Sequence, residues 1–170
     1  MTKTITTTTL NQFHSVNLVT EVIAHADMED REDWVPLADG VLFKPLFFDV
    51  TQGGWSNLLS VQPGCRLPRH YHTATVHGFT IRGSWHYPEH DWTAHAGTYI
   101  FEPPGEAHTL VVDDGGEEMV TFFVTRGSLV FTDAAGNVTG YEDVFTRLEQ
   151  ARAHYRNIGK NPADLDALIR

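Results

Sequence analysis

The chain is poor in cysteine, poor in positive charge, and free of long apolar runs. Cys65 is its only cysteine, so no disulfide forms within it and a reducing compartment suits it. Lysine and arginine number 12 against 22 aspartates and glutamates, a formal net charge of −10. Such a surface repels phosphate backbones and anionic bilayers, so nucleic acid and membrane are set aside as partners. No stretch reaches the roughly 20 apolar residues that cross a bilayer as a helix. The opening Met1-Thr-Lys-Thr-Ile-Thr-Thr-Thr-Thr9 lacks an apolar signal core, which makes the cytoplasm the expected compartment. What is present is a globular composition. The 170 residues are 41% hydrophobic and 11% aromatic, enough for one core and one domain. No segment repeats another, so a duplicated two-domain arrangement is not expected.

The pattern along the chain predicts an all-β protein with a short helical end. Residues 1–33 read as a Thr-rich tail, through about Thr9, followed by an acidic arm. Residues 34–140 read as a small double-sheet β-barrel or jelly roll. Val41 to Phe48 is strand-like but interrupted by Pro45, which suits an edge or a bulge. Trp55–Val61, the region of His70–His72, Val76–Arg82, Ser84–Tyr87, Thr98–Glu102, His108–Val112, Met119–Thr125 and Ser128–Thr132 read as further short strands separated by turn signals. Such a barrel leaves an interior that can host one ligand site. Residues 141–170 change period. Val144, Leu148, Ala151 and Tyr155 fall on one helical face, with Asp143 as N-cap and Gly159 as stop. Asn161-Pro162 opens a last short helix that ends near Arg170. These helices are expected to pack on the barrel.

Two stretches carry the chemistry. In Gly64-Cys-Arg-Leu-Pro-Arg-His70-Tyr-His72, the histidines sit at i and i+2 of an extended segment and so share a face. In Gly97-Thr-Tyr-Ile-Phe-Glu-Pro103-Pro-Gly105-Glu-Ala-His108, a third histidine follows a Pro-Pro-Gly turn. His70, His72 and His108 together supply three neutral imidazoles, enough to hold a divalent metal and leave positions open. Fe(II), Zn(II), Ni(II) and Mn(II) all accept such a set. Glu102 ends a strand six residues before His108. It reads either as a solvated carboxylate or as an acceptor for a ligand imidazole, or even a fourth ligand. Trp85, Tyr87, Tyr99 and Phe101 read mainly as core, with one or two lining a pocket over the metal. Glu106, Arg69 and Arg82 read as surface groups, and His86, His90 and His95 as non-ligands. Cys65 reads as a small buried filler.

These spacings resemble both halves of the cupin signature. Gly64, His70, His72 and Gly83 match the first half, and Gly97, Pro103, Gly105 and His108 the second. The chain departs from the family where a glutamate usually follows the His-x-His pair. Val76 and His77 occupy those spacings, and Val112 replaces a terminal asparagine. Loss of that glutamate is similar to the three-histidine cupins, which include cysteine dioxygenase and acetylacetone dioxygenase. A finer resemblance, over roughly residues 34–170, is to the 2,4′-dihydroxyacetophenone dioxygenase branch. It is carried by Arg69 to Trp85, Glu89-His-Asp-Trp92, Gly97 to Leu110 and the segment Asp143 to Tyr155. It implies an Fe(II)-dependent dioxygenase acting on a small aromatic ketone and O2, with His70, His72 and His108 as ligands. Glu102 or His77 would then orient a ligand or shuttle a proton. The resemblance also implies a homodimer or homotetramer. Two alternatives stay open. One is a three-histidine oxygenase for another chelating, diketone-like substrate. The other is a non-catalytic sensing cupin of the anti-sigma-factor type.

Overall fold

The computed structural model describes residues 19–170; the Thr-rich segment through Thr9 lies outside them. Twelve strands form two six-stranded sheets. The first sheet holds β1 (Val35–Ala38), β2 (Val41–Asp49), β3 (Gly54–Val61), β10 (Met119–Arg126), β5 (Val76–Arg82) and β8 (Tyr99–Glu102), in that spatial order. The second holds β12 (Val138–Glu142), β11 (Leu129–Thr132), β4 (Arg66–His72), β9 (Ala107–Val111), β6 (Ser84–His86) and β7 (Thr93–His95). Every strand pairing is antiparallel. The chain switches sheets repeatedly, which is what closes the sandwich around one interior.

Strand alternation decides what enters that interior. Along β5, Val76, Gly78 and Thr80 are buried while His77 and Phe79 are exposed. At Gly83, φ is +69°, and a Cβ there would lie 2.5 Å from the Glu118 carbonyl oxygen. Only glycine fits the turn that carries the chain from β5 into β6 of the other sheet. Pro45 sits where the pairing of β2 with β3 shifts register, so it marks a bulge. It tolerates its missing N–H because β1 pairs with β2 only as far as Phe43.

The core is one large cluster that includes Trp55, Trp85, Tyr87, Met119 and Phe123. A second, smaller cluster of Trp34, Leu58 and Val120 lies beneath Met28, Leu42, Leu46 and Phe122. It accounts for β3, which is buried along nearly its whole length. Tyr99 and Phe101 correct the sequence reading. They are 60% and 52% exposed, on the outer side of edge strand β8 beside Phe79 and Ile81. Cys65 is half-buried against the core rather than enclosed.

Helix α1 (Val144–Asn157) begins at Asp143, whose side chain accepts from the Phe145 and Thr146 amides. Thr146 returns a hydrogen bond to the cap, a reciprocal arrangement that fixes the first turn. The helix buries Val144, Arg147, Leu148, Ala151 and Tyr155. Gly159 then takes a positive φ of 77° just past the end. The final segment is a 3-10 helix, Pro162–Leu168, capped by Asn161. It packs back on α1 and β2, and Ile169 bridges Phe48. Among the described residues, no helix is long and apolar enough to cross a membrane.

Candidate metal centre

His70 and His72 lie on β4 and His108 lies on β9, directly opposite His70 in the register. The pairing of β4 with β9 shifts between Leu67 and His70. That bulge lets Leu67, His70 and His72 all face inward although Leu67 and His70 are three apart. The Pro-Pro-Gly turn before His108 is tied to the other motif, since the Gly105 amide donates to the His72 carbonyl at 2.9 Å. The three rings stand 4.9–5.2 Å apart, centroid to centroid. One ligand atom from each lies within 4.8 Å of the others. All three residues are at most 4% exposed.

Charge and tautomer suit metal binding. Burial, reinforced by His72, pulls His70 down to about 3, and burial pulls His108 down to about 4. Both imidazoles are therefore neutral at pH 7, the form that offers a lone pair. His70 Nδ1 lies 2.7 Å from the Pro68 carbonyl, which can only accept. Nδ1 must then carry the proton, leaving Nε2 as the free donor atom.

Glu102 is inward and buried. Burial pushes its carboxyl up, but His72, the Tyr87 hydroxyl and His108 more than offset this and hold it below its ordinary value. Its Oε2 is 2.9 Å from His72 Nε2 and 3.9 Å from His108 Nε2. Neither Glu102 Oε2 nor His108 Nε2 has a hydrogen-bond partner. Buried polar atoms that converge without partners are costly, and a cation between them would remove that cost. Neighbouring ligands on one octahedral ion stand about 3 Å apart for bonds of about 2.1 Å. The three imidazoles with Glu102 beside them therefore fit a divalent metal. Val76 stands at one of the two spacings where the family usually carries a glutamate. Glu102 is the cross-strand partner of Val76, so the carboxylate comes from the adjacent strand.

Tyr87 holds this carboxylate from the other side. Its hydroxyl donates to Glu102 Oε1, and its ring stacks on His108 at 4.0 Å and 5°. Burial and the Glu102 charge raise the phenol well above its ordinary value, so it remains a donor. Tyr87 is the aromatic of the expected pocket.

His77 is not part of this centre. The alternation of β5 turns it to the outer face, exposed, where its Nδ1 is 2.7 Å from the Tyr99 hydroxyl. It cannot orient a ligand or shuttle a proton from there. Arg69 pairs with Glu89, and Arg82 with Glu29 and Glu118, at the periphery. Glu106 is exposed.

The centre opens on an interior cavity of about 40 Å³. Its walls include Leu67, Val76, Leu110, Phe123 and Leu129, with Asn57, Thr125 and Arg147 as polar members. Sequence reasoning missed Arg147. The signal was available, because position 147 falls on the same helical face as Val144 and Ala151.

Comparison with known proteins agrees with this architecture. No curated protein matches the chain by sequence. An RmlC-like cupin protein from Ralstonia eutropha JMP134 is similar at 34% identity, with a TM-score of 0.73 over 78% of this chain and 87% of that one. A cupin-like protein of unknown function from the same organism is similar at 28% identity, with a TM-score of 0.70 over 85% and 88% of the two chains. An acetylacetone dioxygenase from Acinetobacter johnsonii shares the fold at 18% identity, with a TM-score of 0.70 over 83% and 99%. The family profile described as the ChrR cupin-like domain matches residues 22–130. That span takes in β1 to β10, all three histidines and Glu102, and by it the chain belongs to the ChrR cupin-like domain family.

Proposed function

We propose that the chain is an Fe(II)-dependent ring-ketone dioxygenase. It would cleave the C–C bond of a 2-hydroxyacetophenone-type substrate with O2 to give an aromatic acid and formate. Both oxygen atoms end in the products, so no external reductant is needed. The observation that supports this reading most directly is the buried three-imidazole set beside a mostly apolar cavity lined by His70 and His72. The fold shared with an acetylacetone dioxygenase is consistent with it.

His70, His72 and His108 would hold the iron, with Glu102 beside them. When bound, iron supplies Lewis acidity for a chelating ketol and a redox centre for O2. The other tasks belong to the chain. The His70 contact to Pro68 fixes which nitrogen faces the site. Glu102 Oε2 would take the proton of the ketol hydroxyl. The Tyr87 hydroxyl holds Glu102 in position and shares its charge. The apolar walls orient the aromatic body and exclude water.

The test is O2 uptake by protein loaded anaerobically with Fe(II) and given 2,4′-dihydroxyacetophenone. Stoichiometric uptake requiring both iron and ketone is expected. No uptake from protein shown to hold iron would reject this substrate. A second reading, a metal- or ligand-sensing domain, is favoured by one observation, the match to the ChrR cupin-like domain. It predicts metal binding without turnover of any chelating ketone or diketone.

A further inference from the structure

The interior cavity has a second polar end. Arg147, 4% exposed, enters from the first turn of α1. Its Nη2 forms an ion pair with Glu142 Oε2, an oxygen without a hydrogen-bond donor, while Glu142 Oε1 accepts from Gln150 Nε2 at 3.1 Å. Its guanidinium lies over the rings of Phe43 and Trp55, at 5.0 and 5.8 Å. Yet Nε and Nη1 are buried and have no acceptor. A buried arginine normally spends its planar fork on two parallel hydrogen bonds, and buried donors are normally paired. The side chain also borders an outer groove beside β12, but both free nitrogens are shielded from solvent.

The register places this end away from the histidines. In the first sheet, Glu102, Val76, Thr125 and Trp55 form one cross-strand row. Glu102 and Trp55 are thus three strand spacings apart, roughly 14 Å between backbones. In the second sheet, His72, Leu129 and Glu142 form a row, two spacings or roughly 10 Å long. Arg147 lies over Trp55 and against Glu142, at the far end of both rows. Between the two ends the cavity is mostly apolar, walled by Leu67, Val76, Phe123 and Leu129, with Asn57 and Thr125 as polar members.

We infer that Arg147 is a specificity-determining residue that receives an acceptor oxygen on the end of the ligand remote from the metal. The fitting ligand is a flat apolar body with a chelating group at one end and a hydroxyl, phenolate or carboxylate oxygen at the other. Glu142 already balances the arginine charge, so what remains to be satisfied is hydrogen bonding. A neutral phenol therefore qualifies as well as an anion. The assignment rests on the ring-ketone reading for the chelating end only.

The test reads binding, not turnover. Zinc-loaded full-length protein is titrated calorimetrically with 2-hydroxyacetophenones that differ only at the para position: hydroxyl, carboxylate or methyl. The para-oxygen ligands should bind at least about tenfold more tightly than the para-methyl one, because a site built to hydrogen-bond an oxygen rejects the analogue without it. In R147M that preference should fall below about twofold, while the para-methyl ligand keeps its affinity. The ratio of hydroxyl to carboxylate affinity identifies the source of the oxygen. Equal affinities in the unaltered protein overturn the assignment with no variant needed, so poor folding of R147M cannot protect it. A second arm removes the ketol. Chelator-treated protein is compared for phenol and benzoate against toluene by ligand-observed NMR. An Arg147-dependent preference for the oxygenated rings, with no ketol binding in the first arm, would retain this assignment and discard the ring-ketone reading. Absence of any oxygen preference in both arms discards this assignment.

Discussion

At one end of the interior stand His108 Nε2 and Glu102 Oε2, buried without partners; at the other stand donor nitrogens without acceptors, Arg147 Nε and Nη1. The same penalty for unpaired buried groups operates at both ends, but it calls for opposite remedies. Ligand atoms from three imidazoles and a carboxylate converge on a point a cation would fill. A guanidinium whose Nε and Nη1 have no acceptor calls for an oxygen. The apolar wall between them demands a ligand body with little polarity. The contrast thus describes a ligand from both ends, which neither end does alone.

The strongest way to break the comparison is at the histidine end. H108A removes a ligand nitrogen and the ring on which Tyr87 stacks. Metal content after dialysis, read by elemental analysis, should fall by more than about a hundredfold in affinity, and turnover with it. Retained metal and turnover would overturn the assignment of the centre.

Acid should also separate the two ends. In the folded, metal-free chain His70 titrates at about 3 and His108 at about 4, against 6.5 unfolded. Below 6.5 the unfolded chain therefore binds more protons than the folded one, and stability is lost as pH falls toward 4. At about 1.36 kcal/mol per pH unit, the loss approaches 3 kcal/mol per histidine by pH 4. Urea unfolding of chelator-treated protein at pH 7.5, 6, 5 and 4 should show it. Arg147 stays charged throughout and contributes nothing to this slope. A flat stability profile across that range would mean the histidines are not buried neutral.

E102Q keeps the shape of the histidine end while removing its charge. Metal affinity should fall roughly ten- to a hundredfold, measured by competition with a chromophoric chelator. Unchanged affinity would restrict Glu102 to its hydrogen bond with Tyr87. The smallest effect is expected from H77A, on the outer face of β5. Stability should stay within about 0.5 kcal/mol and metal affinity should not move; a loss of metal would contradict the inward and outward assignment of that strand.

Legibility in the sequence differed between the ends too. The histidine cluster could be read because turn residues and strand spacing report directly on which side chains meet. The cupin fold followed from the same short motifs. The face taken by Glu102 could not be read. In Tyr99-Ile-Phe-Glu102 the two aromatics suggest the inner face, yet pairing with β5 turns them outward and the carboxylate inward. That inversion is tolerated because Glu102 finds the Tyr87 hydroxyl and the imidazoles inside, information that is not local. Strands β7 and β12 escaped notice because one is three residues long and the other buries no residue fully. Arg147 was passed over because a charged residue among apolar ones on a helix usually reaches solvent. Only the tertiary placement of α1 denies it that exit.

The family match ends at residue 130, whereas α1 begins at Val144. The histidines and Arg147 therefore come from different tracts of the chain. Asp143 and Thr146, which clamp the first turn of α1, in effect set where Arg147 meets the barrel. Substitutions confined to this helix would alter the Arg147 end of the cavity and leave the three histidines in place.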